Sequence, residues 1–472
     1  MIPISPLDAA TDRPRGMLVL ARAAHGLKRV SIAVLLALAC LAPLSARAVT
    51  VERVVSPQGV EAWLVRDPTI PILSVHFAFR GGAATDPAGK EGLSRMVSAL
   101  LDEGAGDLDS EAFQRRLNDL AITLRFDTGP DYFTGRLKTL SENRDQAFEL
   151  LELALNKPRF DAEPIQRIRS QILAILAHDA EDPDYIAAKT WYAAMFPGHP
   201  YARPTDGTPE SVRAIGDEDL RDFVHRRLAR DNLLIGVVGD ITPEVLAPLL
   251  DKTFGALPAH ADGDGVPEVK PSAEGGTIVI DRDIPQSVVV FGEEGVKRDD
   301  PDYYIAYVMN YILGGGGFTS RLTEQVREKR GLAYSVYSYL MPMEHTGLIV
   351  GGVATENSRL KESLDLIRAE WRRLADGGVT DEELKNAKSY LTGSFPLRLD
   401  SSDEIAETLV SIQMGRLGID YMDRRNALIE GVTRADIRRV AKRLIAPEAL
   451  TFVVVGRPTG VTATREVPAG AL

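Results

Sequence analysis

Leu233-Leu234-Ile235-Gly236-Val237-Val238-Gly239 is an apolar run closed by glycine, and it returns near the far end of the chain as Leu450-Thr451-Phe452-Val453-Val454-Val455-Gly456. Working outward, each run is preceded by a similar order of elements. Upstream of the first, Pro71-Ile72-Leu73-Ser74-Val75-His76-Phe77-Ala78-Phe79 alternates as a strand and is followed by Gly81-Gly82 and a long helical pattern from Gly92. Upstream of the second, Ser287-Val288-Val289-Val290-Phe291-Gly292 reads as a strand, followed by Asp299-Asp300-Pro301 and a helical stretch through Tyr311. The 472 residues therefore contain a two-fold internal repeat, with roughly 200 residues per copy.

The helix starts repeat as well. Asp161-Ala162-Glu163-Pro164 places acids and an early proline before Ile165, and Thr380-Asp381-Glu382-Glu383 opens a counterpart in the second half. Between the copies, residues 256–276 are rich in Pro, Gly, Asp and Ala and have neither helical nor strand period, which predicts an interdomain linker. The expected organisation is an α+β protein with domains at 49–255 and 277–472. Each should be a mostly antiparallel sheet covered by helices on one face.

Charge narrows the function. A net −12 argues against general nucleic-acid binding, which needs a basic face to displace counterions. Residues 1–48 read as a secretory signal: Arg22, Lys28 and Arg29 precede the apolar run Ile32 to Leu44, and Ala46-Arg47-Ala48 forms an A-x-A-like cleavage site before Val49. The run is short for a bilayer span and interrupted by Pro43, so the mature chain is expected in the periplasm or secreted, with no membrane anchor. Met17 is an alternative start. The one cysteine, Cys40, lies in the apolar run, so cleavage leaves no thiol and excludes cysteine-protease chemistry and thiolate zinc sites.

Several segments in a fixed order carry a family resemblance. They are Arg80-Gly81-Gly82-Ala83; Phe196-Pro197-Gly198-His199-Pro200-Tyr201 with Gly207; Gly314-Gly315-Gly316-Gly317-Phe318-Thr319-Ser320-Arg321-Leu322; Arg327-Glu328-Lys329-Arg330-Gly331-Leu332-Ala333-Tyr334; and Leu391-Thr392-Gly393-Ser394-Phe395. From about Val51 to Gly456 the chain resembles the pitrilysin/insulinase family of inverted-zinc metallopeptidases. The resemblance implies two homologous α+β domains paired face to face around a chamber where peptides are cut.

One departure is specific. That family carries H-x-x-E-H on the helix corresponding to Gly92–Leu100, two imidazoles to hold zinc and a carboxylate to take a proton from metal-bound water. Here Arg95, Ser98 and Ala99 occupy those places. A later glutamate that completes the family's site is also missing, because Ala174 and Ile175 stand in the matching stretch before Asp182-Pro183. None of the seven histidines rebuilds the motif; His178 and Asp182, one turn apart, read as a solvated helix pair.

Arg327 and Tyr334 match two positions that in the family donate hydrogen bonds to the bound peptide near its scissile carbonyl. Read without the resemblance, Arg327 to Gly331 is equally a helix end with cations near its C-terminus, and Tyr334 a core tyrosine at the start of a strand from Ala333 to Leu340. The Gly314 to Gly317 run is not a phosphate-binding loop, since Phe318-Thr319-Ser320 follows where Lys and Ser or Thr would be needed. The resulting expectation is a zinc-free subunit, inactive alone, that completes a peptide chamber with a homologous zinc-bearing partner and contributes Arg327 and Tyr334. Whether that assembly is a heterodimer or a homodimer stays open. The alternative is a non-catalytic peptide-binding or scaffold protein on the same fold.

Overall fold

The computed structural model describes residues 50–263 and 265–471. The signal reading of 1–48, with Cys40, lies outside the described residues. Six strands form the first sheet: β1 (Glu52–Val55), β2 (Glu61–Arg66), β3 (Ile72–Arg80), β4 (Thr123–Thr128), β5 (Tyr132–Leu140) and β6 (Leu233–Gly239), in the order β1-β2-β6-β3-β5-β4. Five strands form the second: β7 (Gly276–Ile280), β8 (Gln286–Glu294), β9 (Ala333–Pro342), β10 (Gly347–Glu356) and β11 (Thr451–Val455), in the order β7-β11-β8-β10-β9. The two repeated apolar runs, β6 and β11, occupy the same place. β6 lies between β2, in parallel, and β3, in antiparallel register, and β11 lies likewise between β7 and β8; all other pairings are antiparallel.

Those two strands show why the sheets are covered on more than one face. On β11, Phe452 and Val454 point into the core made with the helix Leu360–Gly377, where Trp371 is fully buried. Val453 and Val455 point the other way, into a separate core shared with the helix Pro183–Met195 of the first half. A continuous apolar run is what burial on both faces requires, whereas one-sided burial would show alternation. The exchange is reciprocal: helix Ser402–Met414 of the second half lies on β3 and β6.

Two glycines admit these helices. A Cβ at Gly236 on β6 would stand 2.6 Å from the Ala406 carbonyl oxygen, and one at Gly292 on β8 would stand 2.7 Å from the Trp191 ring. Trp191 is fully buried and its Nε1–H donates to the Thr451 carbonyl at 3.1 Å. In the other direction, Gln413 Nε2 donates to the Ile235 carbonyl at 2.9 Å and the His76 ring meets Asp403 at 3.0 Å.

Two local expectations need correction. The long helical pattern from Gly92 is a six-residue helix, Leu93–Ser98, because the chain turns at Gly104 (φ +108°) and Gly106 (φ +57°) before the next helix, Ser110–Asp119. His178 and Asp182 do not share a helix: Asp182 caps Pro183–Met195 by accepting from the Tyr185 N–H at 2.9 Å. The described residues between 256 and 275 form no helix or strand, and the stretch is tied down, with Ser272 N–H on the Met195 carbonyl (2.8 Å) and Val269 N–H on the His345 carbonyl (3.1 Å).

Trp191→Ala should lower the free energy of unfolding by about 3–5 kcal/mol, since it empties a fully buried indole site and orphans the Thr451 carbonyl. Equilibrium urea unfolding of the whole chain checks this.

Candidate functional site

The helix Leu93–Ser98 is seated by its start. Gly92 takes φ +90°, and a Cβ there would meet the Asp206 carbonyl oxygen at 2.8 Å. The Asp86 carboxylate receives the Gly92 N–H (3.0 Å), the Ser94 N–H (3.1 Å) and the Ser94 hydroxyl (3.2 Å). Leu93, Met96 and Val97 anchor the helix in the first core.

Arg95 points to a wholly different chemistry from zinc ligation. Its guanidinium sits 3.2 Å from Asp206 and 3.6 Å from Asp127, and the Ser98 hydroxyl bonds back to the Arg95 carbonyl at 2.8 Å. Burial pushes the Asp206 carboxyl up, against the lowering effect of Arg95. A cation now stands where a metal's charge would have been. Ala174 and Ile175 lie exposed on the helix Ala162–Asp179, and no group of three or more His, Cys, Asp or Glu among the described residues is arranged to hold a metal. These side chains do not fit zinc: a fixed guanidinium repels the ion and offers no lone pair.

Arg327 and Tyr334 are brought together. The helix Tyr303–Asn310 widens into a π-turn, Tyr311–Gly315, in which Gly314 passes so close to β9 that a Cβ would stand 2.3 Å from Ser338 Oγ. A second π-turn, Thr323–Glu328, carries Arg327. Its start is held by the buried Arg321, which grips Glu383 at 2.7 and 2.9 Å and the Gly378 carbonyl at 2.9 Å. Burial opposes ionisation of Glu383, but the Arg321 guanidinium and the Thr380 N–H prevail and hold its carboxyl at about 2. Gly331, at φ +60°, then turns the chain into β9.

The outcome is a guanidinium between two aromatic rings. Arg327 Cζ lies 4.6 Å from the Phe318 ring centre and 4.9 Å from that of Tyr334. Tyr334 is 84% exposed and Phe318 67%, so Tyr334 is no core residue. Sequence reasoning missed Phe318 as a partner; a large aromatic in a glycine run was the available signal. β9 pairs only with β10, leaving its outer edge open, and Tyr337 and Tyr339 stack beside one another on it with ring centres 6.1 Å apart.

A cavity of about 580 Å³ opens between the halves beside Arg95. Arg125, Arg136 and His76 line it from the first sheet, with Asp127, and Glu407 lines it from helix Ser402–Met414. The arrangement is a cleft with hydrogen-bond donors on both walls and no metal site in this chain's described residues.

Fold and site together define a two-domain protein of metallopeptidase form whose metal-binding helix has lost its ligands. Residues 214–391 match the family model described as peptidase M16 inactive domain. The chain is 28% identical to the non-peptidase homolog YmxG of Helicobacter pylori over 82% of this chain and 89% of that protein. It is 26% identical to a probable mitochondrial-processing peptidase subunit beta of Schizosaccharomyces pombe, over 80% and 85%. Among solved structures it resembles a peptidase M16 inactive domain from Pseudomonas fluorescens, with TM-score 0.81, 26% identity, and 89% and 100% of the two chains covered. A chain of complex III from Candida albicans shares the fold, with TM-score 0.70, 17% identity and 86% and 96% covered. The chain is thus similar to zinc-free, inactive members of the peptidase M16 family.

Asp86 gives the seated helix a pH signature. Burial lifts its carboxyl from the ordinary 3.8 to about 7, against the Ser94 and Gly92 donors. The folded state therefore holds a proton that the unfolded state has lost between those values, and stability contributed by this group falls as pH rises through that window. Asp86→Asn should remove this slope. Urea midpoints of both proteins from pH 4 to 8 give the comparison.

Proposed function

We propose that this chain is the zinc-free subunit of a heteromeric zinc metallopeptidase in the periplasm, reached through the signal at 1–48. It closes a peptide chamber with a homologous zinc-bearing chain. The observation that carries this reading is the asymmetry between the two motifs. Arg95 is held by Asp127 and Asp206 within the first half, whereas the half-buried Arg327, ion-paired among the described residues only with its neighbour Glu328 at 3.4 Å, stands beside the exposed Tyr334 on an element braced by Arg321 and Glu383.

In the assembled chamber the zinc-bearing partner would supply the metal that activates water for attack. This chain's part is to bind and polarise. An extended peptide adds to the open edge of a sheet through main-chain hydrogen bonds. The Arg327 guanidinium and the Tyr334 hydroxyl would donate to the scissile carbonyl oxygen and stabilise the oxyanion as it forms. Stacking on Phe318 and Tyr334 restricts the guanidinium without consuming its N–H donors, so less ordering is left for the reaction step.

Cleavage of a peptide should appear only when this chain is mixed with its zinc-bearing partner, neither being active alone. Arg327→Ala should lower turnover by the mixture about 10²–10³-fold, the usual loss for one oxyanion donor. Unchanged turnover would remove the catalytic role. Absence of cleavage on mixing would favour the alternative, a non-catalytic peptide-binding or scaffold protein. Cell fractionation tests the periplasmic location.

A further inference from the structure

Beside the helix Ser402–Met414, away from Arg95, a cavity of about 340 Å³ is lined by Arg298, Arg398 and Arg425 together with tyrosines and Phe395. Its charge is unusual for this protein. Some arginines meet carboxylates, as Arg321 meets Glu383 and Arg439 and Arg443 meet Asp302, and single ones such as Arg169 and Arg368 do without, but here three line one cavity. Here none of the three has a carboxylate within ion-pair distance among the described residues, and Glu407, the carboxylate of this lining, pairs with none of them.

Arg298 and Arg425 are held in place by something other than a counter-charge. Arg298 Cζ lies 3.9 Å over the Tyr303 ring, and its Nη2 donates to Tyr304 Oη (2.9 Å) and Tyr421 Oη (3.1 Å). Its Nη1 is buried with no hydrogen-bond partner. Arg425, only 5% exposed, lies 4.1 Å over Phe395 and donates to the Leu391 carbonyl (3.0 Å) and Asn426 Oδ1 (3.1 Å). Arg398 is exposed at the rim, on the short 3₁₀ turn Phe395–Arg398. Aromatic stacking positions a cation but leaves its charge uncompensated, and burying an unpaired charge is costly. A planar guanidinium fixed in place beside a cavity matches a carboxylate in charge and shape.

We propose that this cavity is a carboxylate-recognition subsite, so that the peptide taken by the chamber carries an acidic side chain. The proposal rests on the chamber reading above and names its substrate class. Placement supports it: the cavity shares Glu407 and Ser411 with the cleft beside Arg95, and Arg298 and Tyr303 with a further cavity between the halves, so one extended chain reaches it from either. Selectivity must be local, because a chain of net charge −12 repels acidic peptides at long range.

The test is fluorescence anisotropy of the whole chain with C-amidated decapeptides that differ only by Glu or Gln at one scanned position. At the position that reaches the cavity, the Glu peptide should bind about 10-fold more tightly, roughly one charge-assisted contact. Arg298→Gln and Arg398→Gln should each bring that ratio close to one. Arg398 is exposed, so its variant keeps the test valid if the Arg298 variant unfolds. Equal binding of Glu and Gln peptides at every position, or a ratio unchanged in Arg398→Gln, overturns the subsite alone. Failure of every peptide to bind this chain overturns the subsite, whereas the chamber reading falls only if mixing with the zinc-bearing partner yields no cleavage.

Discussion

The structure depends on a reciprocal exchange: each half lays one helix on the sheet of the other. Trp191 enters over Gly292, and the Ala406 turn enters over Gly236. Neither sheet can bury its second face alone, because the fully apolar strand β11 and its counterpart β6 need cover on both sides. The fused repeat satisfies both at once, and its apolar contacts are too intimate for a side chain at either glycine. Large aromatic and aliphatic burial of this kind is worth about 1.5–3 kcal/mol per side chain.

A polar seam accompanies the exchange. Tyr201 Oη donates to Asp131 at 2.5 Å and accepts the His345 N–H at 3.2 Å, while Asp131 also accepts the Glu344 N–H at 2.9 Å. Glu344 in turn takes the Tyr132 hydroxyl at 2.6 Å and ion pairs from Arg80 and Arg416. Phe196-Pro197-Gly198-His199-Pro200-Tyr201 thereby acquires a structural meaning. Phe196 and Tyr201 pack into the core between the halves, and His199 bonds the Pro267 carbonyl at 3.0 Å. This motif joins the halves and holds the stretch that links them.

On that frame the two ancestral site elements have diverged. Where zinc ligation would need neutral imidazoles, Arg95 closes an ion-pair set between β4 and the loop that carries Asp206; with both carboxylates partly exposed, the set contributes little to stability. The Arg327 element is braced differently, by a buried charge pair with a matched acceptor. The third arginine environment, around Arg298, has aromatic support and no acid. One residue type thus serves three roles according to which partner the fold supplies.

The repeat, the α+β class, the absence of His and Glu at Arg95, Ser98 and Ala99, and the proximity in sequence of Arg327 and Tyr334 were legible in the sequence. These are local signals: alternation, caps and short motifs report on a residue's own strand or helix. The exchange of helices was not legible, because an apolar face states that it is buried and not what buries it. The early end of Leu93–Ser98 was hidden for a related reason, since apolar spacing continues past it while Gly104 and Gly106 turn the backbone. Phe318 against Arg327 and the unpaired cluster of Arg298, Arg398 and Arg425 join residues far apart in sequence. Only the tertiary structure decides such neighbours, because the charge balance of a site is set by which distant carboxylates fail to arrive.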